Sequence, residues 1–227
     1  MSDAPVTRGG EGYVALGADL LAAAGAGEAG IAATVVAPRT LVLGSAQPLD
    51  DATGAIPAVR RGTGGGAVLC DEGVLLVDVA VPAGHTLAPL DVTEAYRPLG
   101  ELVVDVLAGL GVATRTVTVA EARSMDEARK AAARRACWAG LSPYEVLLPD
   151  GRKLAGLAQR RRAGAVLHQL AVHVTTPPGL VADHLAGGDA LHPHLAASAT
   201  LADAGWAGGP AELWTALGDP LRALVSS

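Results

Sequence analysis

Three consecutive glycines, Gly64 to Gly66, lie within Arg60-Arg61-Gly62-Thr63-Gly64-Gly65-Gly66-Ala67, and the run after them constrains the fold more than any other stretch. The spacing from Gly62 to Ala67 matches GxGxxG/A, yet a dinucleotide fold needs a helix to open immediately afterwards. Here Ala67 to Cys70 and Val74 to Val81 are apolar, β-branched runs separated by Asp71-Glu72-Gly73, so they read as the two strands of a hairpin. No Gly-Lys-Ser/Thr follows to complete a phosphate loop. Two uses of the glycines remain open: a tight turn, or a stripped backbone that lets a ligand approach and offers N–H groups to an anion or carbonyl.

The remainder supplies a core and bounds the partners. Half of the 227 residues are hydrophobic, enough for one sizeable domain. A net charge of -6 argues against a nucleic-acid-binding face. No apolar run reaches the roughly 20 residues that cross a bilayer, and no basic, apolar signal segment opens the chain. Cys70 and Cys137 form neither a CxxC pair nor a disulfide framework, so a cytoplasmic protein without membrane partners is expected. His184, His192 and His194 lack companions at a familiar zinc spacing, and no metal is expected.

Residues 1–12 are polar and Gly-rich and read as a flexible leader to a single domain over 13–227. Tyr13 to Ala24 has helical spacing, and Thr34 to Ala37 and Thr40 to Leu43 read as short strands about Pro38. Apolar positions from Tyr96 to Leu110 predict a helix closed by Gly111. Thr114 to Val119 reads as a strand, and Ser124 to Ala136 as an exposed helix or insertion. Tyr144 to Leu148 and the run from Lys153 form a hairpin about Pro149-Asp150-Gly151, followed by a strand over Ala165 to Val174. The segment 178–227 reads as helices broken at Pro193, Pro210 and Pro220, with no accessory domain.

Among the 17 basic residues only Lys130 and Lys153 are lysines. Lys153 lies about ninety residues after the glycines, in Gly151-Arg152-Lys153-Leu154-Ala155-Gly156-Leu157-Ala158-Gln159. Alone, a hairpin lysine is ordinarily a solvated charge. Together, the two segments resemble the lipoate-protein ligase-like branch of the biotin/lipoate ligase and octanoyltransferase superfamily. That branch carries Arg-Arg-x-Ser/Thr-Gly-Gly-Gly-Ala-Val followed far downstream by Gly-Arg-Lys-Ile/Val-x-Gly-x-Ala-Gln. Weaker echoes are Ala37-Pro38-Arg39 to Leu43-Gly44 with Gln47, and Tyr96-Arg97-Pro98-Leu99-Gly100.

The resemblance covers roughly residues 13 to 176 and implies an α/β (α+β) catalytic domain, a mixed, largely antiparallel sheet flanked by helices. It implies that Arg61, Thr63, Gly64, Gly65, Gly66, Ala67, Gly156 and Ala158 line an acyl and carbonyl pocket at which Lys153 points. An ammonium there stabilises the charge that develops on an attacked carbonyl. Cys137 stands where octanoyltransferases of this branch carry a cysteine that forms an acyl thioester, and flanking Arg134, Arg135 and Lys153 favour a thiolate. The bland alternative is a small buried hydrophobe. Cys70 reads as a pocket wall or core residue.

Three functions follow from the resemblance. The first moves an octanoyl or lipoyl-type group from acyl carrier protein, through Cys137, to a lysine of a lipoyl-domain protein, with no cofactor required. The second is a lipoate-protein ligase that needs ATP and Mg2+. The third is a non-catalytic lipoyl-domain-binding homologue, suggested by Leu167-His168-Gln169-Leu170-Ala171 where the family reads Leu-His/Gln-His-Gly-Ser. Asp78 and His168 are the possible accessory groups, His168 either as a base or as hydrogen-bonded structure.

Overall fold

A computed structural model describes residues 4–162 and 164–227. The chain begins with β1 (Val6–Arg8), α1 (Gly10–Gly25), β2 (Gly30–Val36), β3 (Thr40–Leu43), β4 (Ala58–Arg60), β5 (Val68–Cys70) and β6 (Val74–Pro82). It continues through α2 (Arg97–Gly109), β7 (Arg115–Thr116), α3 (Val119–Arg123), α4 (Glu127–Arg135) and β8 (Val146–Leu147). It ends with β9 (Lys153–Arg162), β10 (Ala165–His173), α5 (His192–Leu195) and α6 (Pro210–Val225).

Among the described residues, seven strands form a sheet in the order β1-β2-β6-β10-β9-β8-β7, and β4-β3-β5 form a smaller one. Every neighbouring pair in the large sheet is antiparallel except β1 with β2. The mixed, largely antiparallel sheet flanked by helices is therefore the fold. No helix among the described residues is long and apolar enough to cross a membrane.

The central strand β6 explains the layering. Its residues from Val74 to Val81 are all buried, because both faces of the sheet are covered. Alternation sends Leu75, Val77, Val79 and Val81 to a core shared with α2 and α6, where Leu99, Val103, Leu107, Leu213, Leu217 and Leu221 pack. Val74 and Leu76 face the other way, onto Leu41, Leu43 and Leu69 of the small sheet. The glycine segment joins β4 to β5, so it rides on this second face of the large sheet.

Four expectations are corrected. Residues 1–3 lie outside the described residues, but Val6–Arg8 of the expected leader pairs in parallel with β2, and α1 has begun by Gly10. The β-branched Val6 and Thr7 suit that edge strand. The expected hairpin at Asp71 does not form, since β5 and β6 belong to different sheets. The Asp71 carboxylate accepts from Gly73 N, Thr176 Oγ1 and Arg39 Nε, which hold the chain at the crossing between them.

The strand expected over Thr114 to Val119 shrinks to β7, because Thr118 caps α3 in a reciprocal bond with Glu121. Pro210 starts α6 and Pro220 lies inside it. At the first helical turn a missing N–H costs nothing. Inside, proline costs about 3 kcal/mol, while burying Leu213, Trp214, Leu217 and Leu221 stabilises by about 1.5–3 kcal/mol each.

Candidate active site

Two cavities meet at Cys137. The inner one is lined mainly by apolar groups, among them Val42, Val68, Cys70, Leu76, Trp138 and Leu170, and is closed by Tyr13, Arg61 and Gln169. The outer one, about 210 Å³, is lined by Gly64, Gly65, Gly66, Tyr96, Ser142, Glu145 and Lys153 among others. Cys137, Leu157 and Ala158 line both. The Cys137 thiol is free and half-buried.

Backbone bonds place Cys137 against the glycine segment. Ala67 N donates to Arg135 O at 2.9 Å, and Cys137 N donates to Ala67 O at 3.0 Å. This approach requires Gly66: a Cβ there would lie 2.6 Å from Ala133 O and Ala136 N. The turn is braced from inside by Arg61, which donates to Thr63 Oγ1, Val42 O, Gly64 O and Gly66 O at 2.8–3.2 Å. Arg61 thus closes the inner cavity while its guanidinium shapes the loop.

Lys153 opens β9, with its backbone held on both sides by Ala197 O and Ala199 N. Its side chain is 1% exposed and so is that of Glu145, whose Oε2 lies 2.8 Å from Lys153 Nζ. Nζ also donates to Cys137 O at 2.9 Å and Gly140 O at 3.2 Å, and sits 5.0 Å from the Trp138 ring. Glu145 in turn accepts from Ser142 N at 2.7 Å and Leu157 N at 3.2 Å. A buried ion pair survives only when its remaining valences are met in this way.

Glu145 follows Tyr144, a non-glycine residue at φ 65°, a conformation that costs about 1–2 kcal/mol. Gly100 accommodates it, since a Cβ there would run into Tyr144 O. The Tyr144 hydroxyl donates to Glu94 and accepts from Arg97. The Tyr96-to-Gly100 echo therefore serves the geometry of Glu145.

The structure gathers Cys137, Lys153, Gly64, Gly65, Gly66, Gly156 and Ala158 around the two cavities. Thr63 and Ala67 stand behind the walls. The Thr63 hydroxyl accepts from Arg61 and donates to Gln169 Oε1, and Ala67 is buried beside α4. Gln169 Nε2 donates to Tyr13 Oη and Asp78 Oδ1, which makes a continuous polar chain from the glycine turn to Asp78. Asp78 lies at the end of that chain, fully buried, with its carboxyl raised to about 7 by burial, against the lowering effect of the Gln169 bond.

His168 is corrected as a candidate base. Strand alternation puts it on the face opposite Gln169, where Nε2 meets Leu87 O at 2.8 Å, and burial lowers it to about 4. Arg135 is corrected as a thiolate partner, because its guanidinium donates to Ala186 O and Gly187 O. Burial pushes the Cys70 thiol up to about 12, consistent with a wall residue. Among the described residues no group of three or more His, Cys, Asp or Glu could hold a metal ion.

Sequence reading missed Glu145, Gln169 and Trp138. The signal for Glu145 was available in Ser142-Pro143-Tyr144-Glu145, an acid directly beside the chemistry-bearing segment. Gln169 was passed over for its neighbour, which only the register with β6 and β9 decides.

Comparison with known proteins gives the family and the fold. Residues 15–189 match the model of the lipoyl protein ligase A/B catalytic domain. Octanoyltransferase LipM of Macrococcus caseolyticus is 33% identical over 138 residues, 58% of this chain and 49% of that protein. LipM of Staphylococcus aureus is 38% identical over 112 residues, 48% of this chain and 38% of that protein. The chain spans about half the length, or less, of these curated relatives.

A bi-partite lipoate protein ligase of Thermoplasma acidophilum superposes with TM-score 0.73 at 21% identity, covering 98% of this chain and 82% of that one. Lipoate-protein ligase A bound with ATP also gives 0.73, at 19% identity, covering 98% and 84%. These two likenesses speak to the fold alone. With three quarters of its length inside the family model and its paired motifs assembled at one site, the chain belongs to the lipoyl protein ligase A/B catalytic-domain family.

Proposed function

We propose that this chain is an acyltransferase of protein lipoylation that carries an octanoyl or lipoyl-type group on Cys137, without ATP. The observation that carries the reading is the position of a free, half-buried thiol where an apolar cavity meets a polar one that holds a lysine ammonium. An acyl tail belongs in the apolar cavity. The thioester of an acyl carrier protein, and later the ε-amine of a lipoyl-domain lysine, would arrive through the polar one. The LipM octanoyltransferases among its relatives support this substrate class, and two free cysteines suit a cytoplasmic setting.

The chemistry divides into two balanced steps. The Cys137 sulfur attacks the carrier's thioester carbonyl, a new C–S bond forms, the old one breaks, and the proton leaves with the carrier thiol. The acceptor amine then attacks the acyl-cysteine, the amide forms, and the amine's proton returns to the Cys137 sulfur. In each tetrahedral state Lys153 stabilises the oxyanion.

The test is to incubate the protein with octanoyl-acyl carrier protein, and separately with lipoate, ATP and Mg2+. The expected result is hydroxylamine-sensitive acylation in the first mixture, lost in Cys137→Ser. AMP release in the second mixture that survives Cys137→Ser would establish the ligase route instead. Binding to a lipoyl domain without either activity would make the chain a non-catalytic homologue.

A further inference from the structure

Each hydrogen of the Lys153 ammonium already has a protein acceptor: Glu145 Oε2 at 2.8 Å, Cys137 O at 2.9 Å and Gly140 O at 3.2 Å. A lysine has three donors and no more. It can therefore reach a substrate carbonyl only by giving up one of these bonds. The three are not equivalent. The two carbonyls belong to the segment that carries Cys137 itself, whereas Glu145 is fixed by two backbone amides, Ser142 N three residues before it and Leu157 N on β9.

We infer that Glu145 is the positioning residue of the reaction, the fixed anchor about which Lys153 exchanges a backbone carbonyl for the carbonyl of the acyl group. The Gly140 bond, the longest of the three, is the one surrendered. Glu145 touches no reacting atom and acts through Lys153. Its charge stays with the ammonium throughout, so the exchange swaps one neutral acceptor for another and strands no ion in a buried site. The left-handed Tyr144 and the space left by Gly100 are the backbone features that aim this carboxylate.

The role rests on the transfer reading above, and a double-mutant cycle separates the two. Wild type, Glu145→Gln, Lys153→Met and the double variant are compared for the rate of Cys137 acylation by octanoyl-acyl carrier protein. The concentration of carrier giving half the maximal rate is measured alongside. Mispositioning by a fraction of an ångström to one ångström lowers the maximal rate of Glu145→Gln by up to about 10²-fold. The half-saturating concentration should stay within about twofold, and in the Lys153→Met background Glu145→Gln should change the rate by no more than about twofold.

Equal fold losses in the two backgrounds would overturn the inference, as would a Glu145→Gln effect confined to the half-saturating concentration. Where Glu145→Gln does not fold, Glu145→Asp takes its place in the cycle, with the same outcomes deciding. If wild type takes no acyl group from the carrier, the transfer reading fails. The same four proteins are then read through AMP release with lipoate, ATP and Mg2+, where additive losses again overturn the role of Glu145. Wild type inert in both assays overturns it outright.

Discussion

At the scale of single residues, the site is a set of buried polar groups whose partners were chosen by geometry rather than by sequence proximity. Lys153→Met removes the oxyanion donor and should lower acylation by about 10²–10³-fold. It also strands Glu145 without its cation, so we expect a stability loss of about 3–5 kcal/mol in denaturant titrations, largely restored when Glu145→Gln is added. No restoration would mean that the two side chains are not paired. Asp78 gives a pH signature. Its folded value, raised to about 7 from 3.8 chiefly by burial, means that the native state keeps the proton when the unfolded chain has lost it. The stability this proton contributes is full below about pH 4 and is lost as pH rises through about 7, up to about 4 kcal/mol in all. Asp78→Asn should therefore gain on wild type steadily between those values and level off above them. A difference that stays constant with pH would contradict the burial of an unpaired carboxyl. Cys137 and Lys153 stood out in the sequence only through the resemblance of their motifs to the family, since neither residue type is distinctive by itself. Glu145 was signalled by its place beside the motif, whereas Gln169 could not be weighed without the register, because one residue of slip along β10 exchanges His168 for Gln169 at the cavity wall.

At the scale of elements, the active geometry comes from one short junction, the glycine turn against the end of α4 and the start of Cys137. Gly66→Ala has no space at Ala133 O or Ala136 N, and overpacking of this kind costs about 1–3 kcal/mol. We expect it to reduce acylation far more than that stability loss alone implies, because the turn and Cys137 separate together. Full activity in Gly66→Ala would show that the close approach is not needed. The strands β6 and β10 were legible as apolar runs, and β9 as the arm that follows the Pro149-Asp150-Gly151 turn. What could not be read was the division of β5 and β6 between two sheets: Asp71-Glu72-Gly73 has the composition of a hairpin turn, yet the bonds of Asp71 to Arg39 and Thr176 are made by residues distant in sequence. Pro220 misled for a similar reason, since the apolar face of α6 that outweighs it exists only once α2 and β6 are in place. Pro220→Ala should accordingly stabilise the protein, by up to about 3 kcal/mol; destabilisation would mean that the helix does not run through that position.

At the scale of the whole molecule, two covered faces of one sheet divide the work. The α2 and α6 face supplies the larger core, and the small-sheet face is left to build cavities. The inner cavity measures only about 30 Å³, while a cavity of about 150 Å³ is what holds a benzene-sized ligand. An eight-carbon tail must therefore displace its walls, among them Leu76 and Leu170. Leu76→Ala should lose about 2–5 kcal/mol when unliganded and recover part of it with octanoate, giving a larger ligand-induced thermal shift than wild type. Equal shifts would place the acyl tail elsewhere. The role of Cys137 is decided most directly by locating the acyl group after brief exposure to octanoyl-acyl carrier protein without ATP. Peptide mass spectrometry should find one hydroxylamine-labile octanoyl group on Cys137, none on Cys70, and none in Cys137→Ser. An octanoyl group that persists in Cys137→Ser, or no covalent adduct while a lipoyl domain is still acylated, would contradict it.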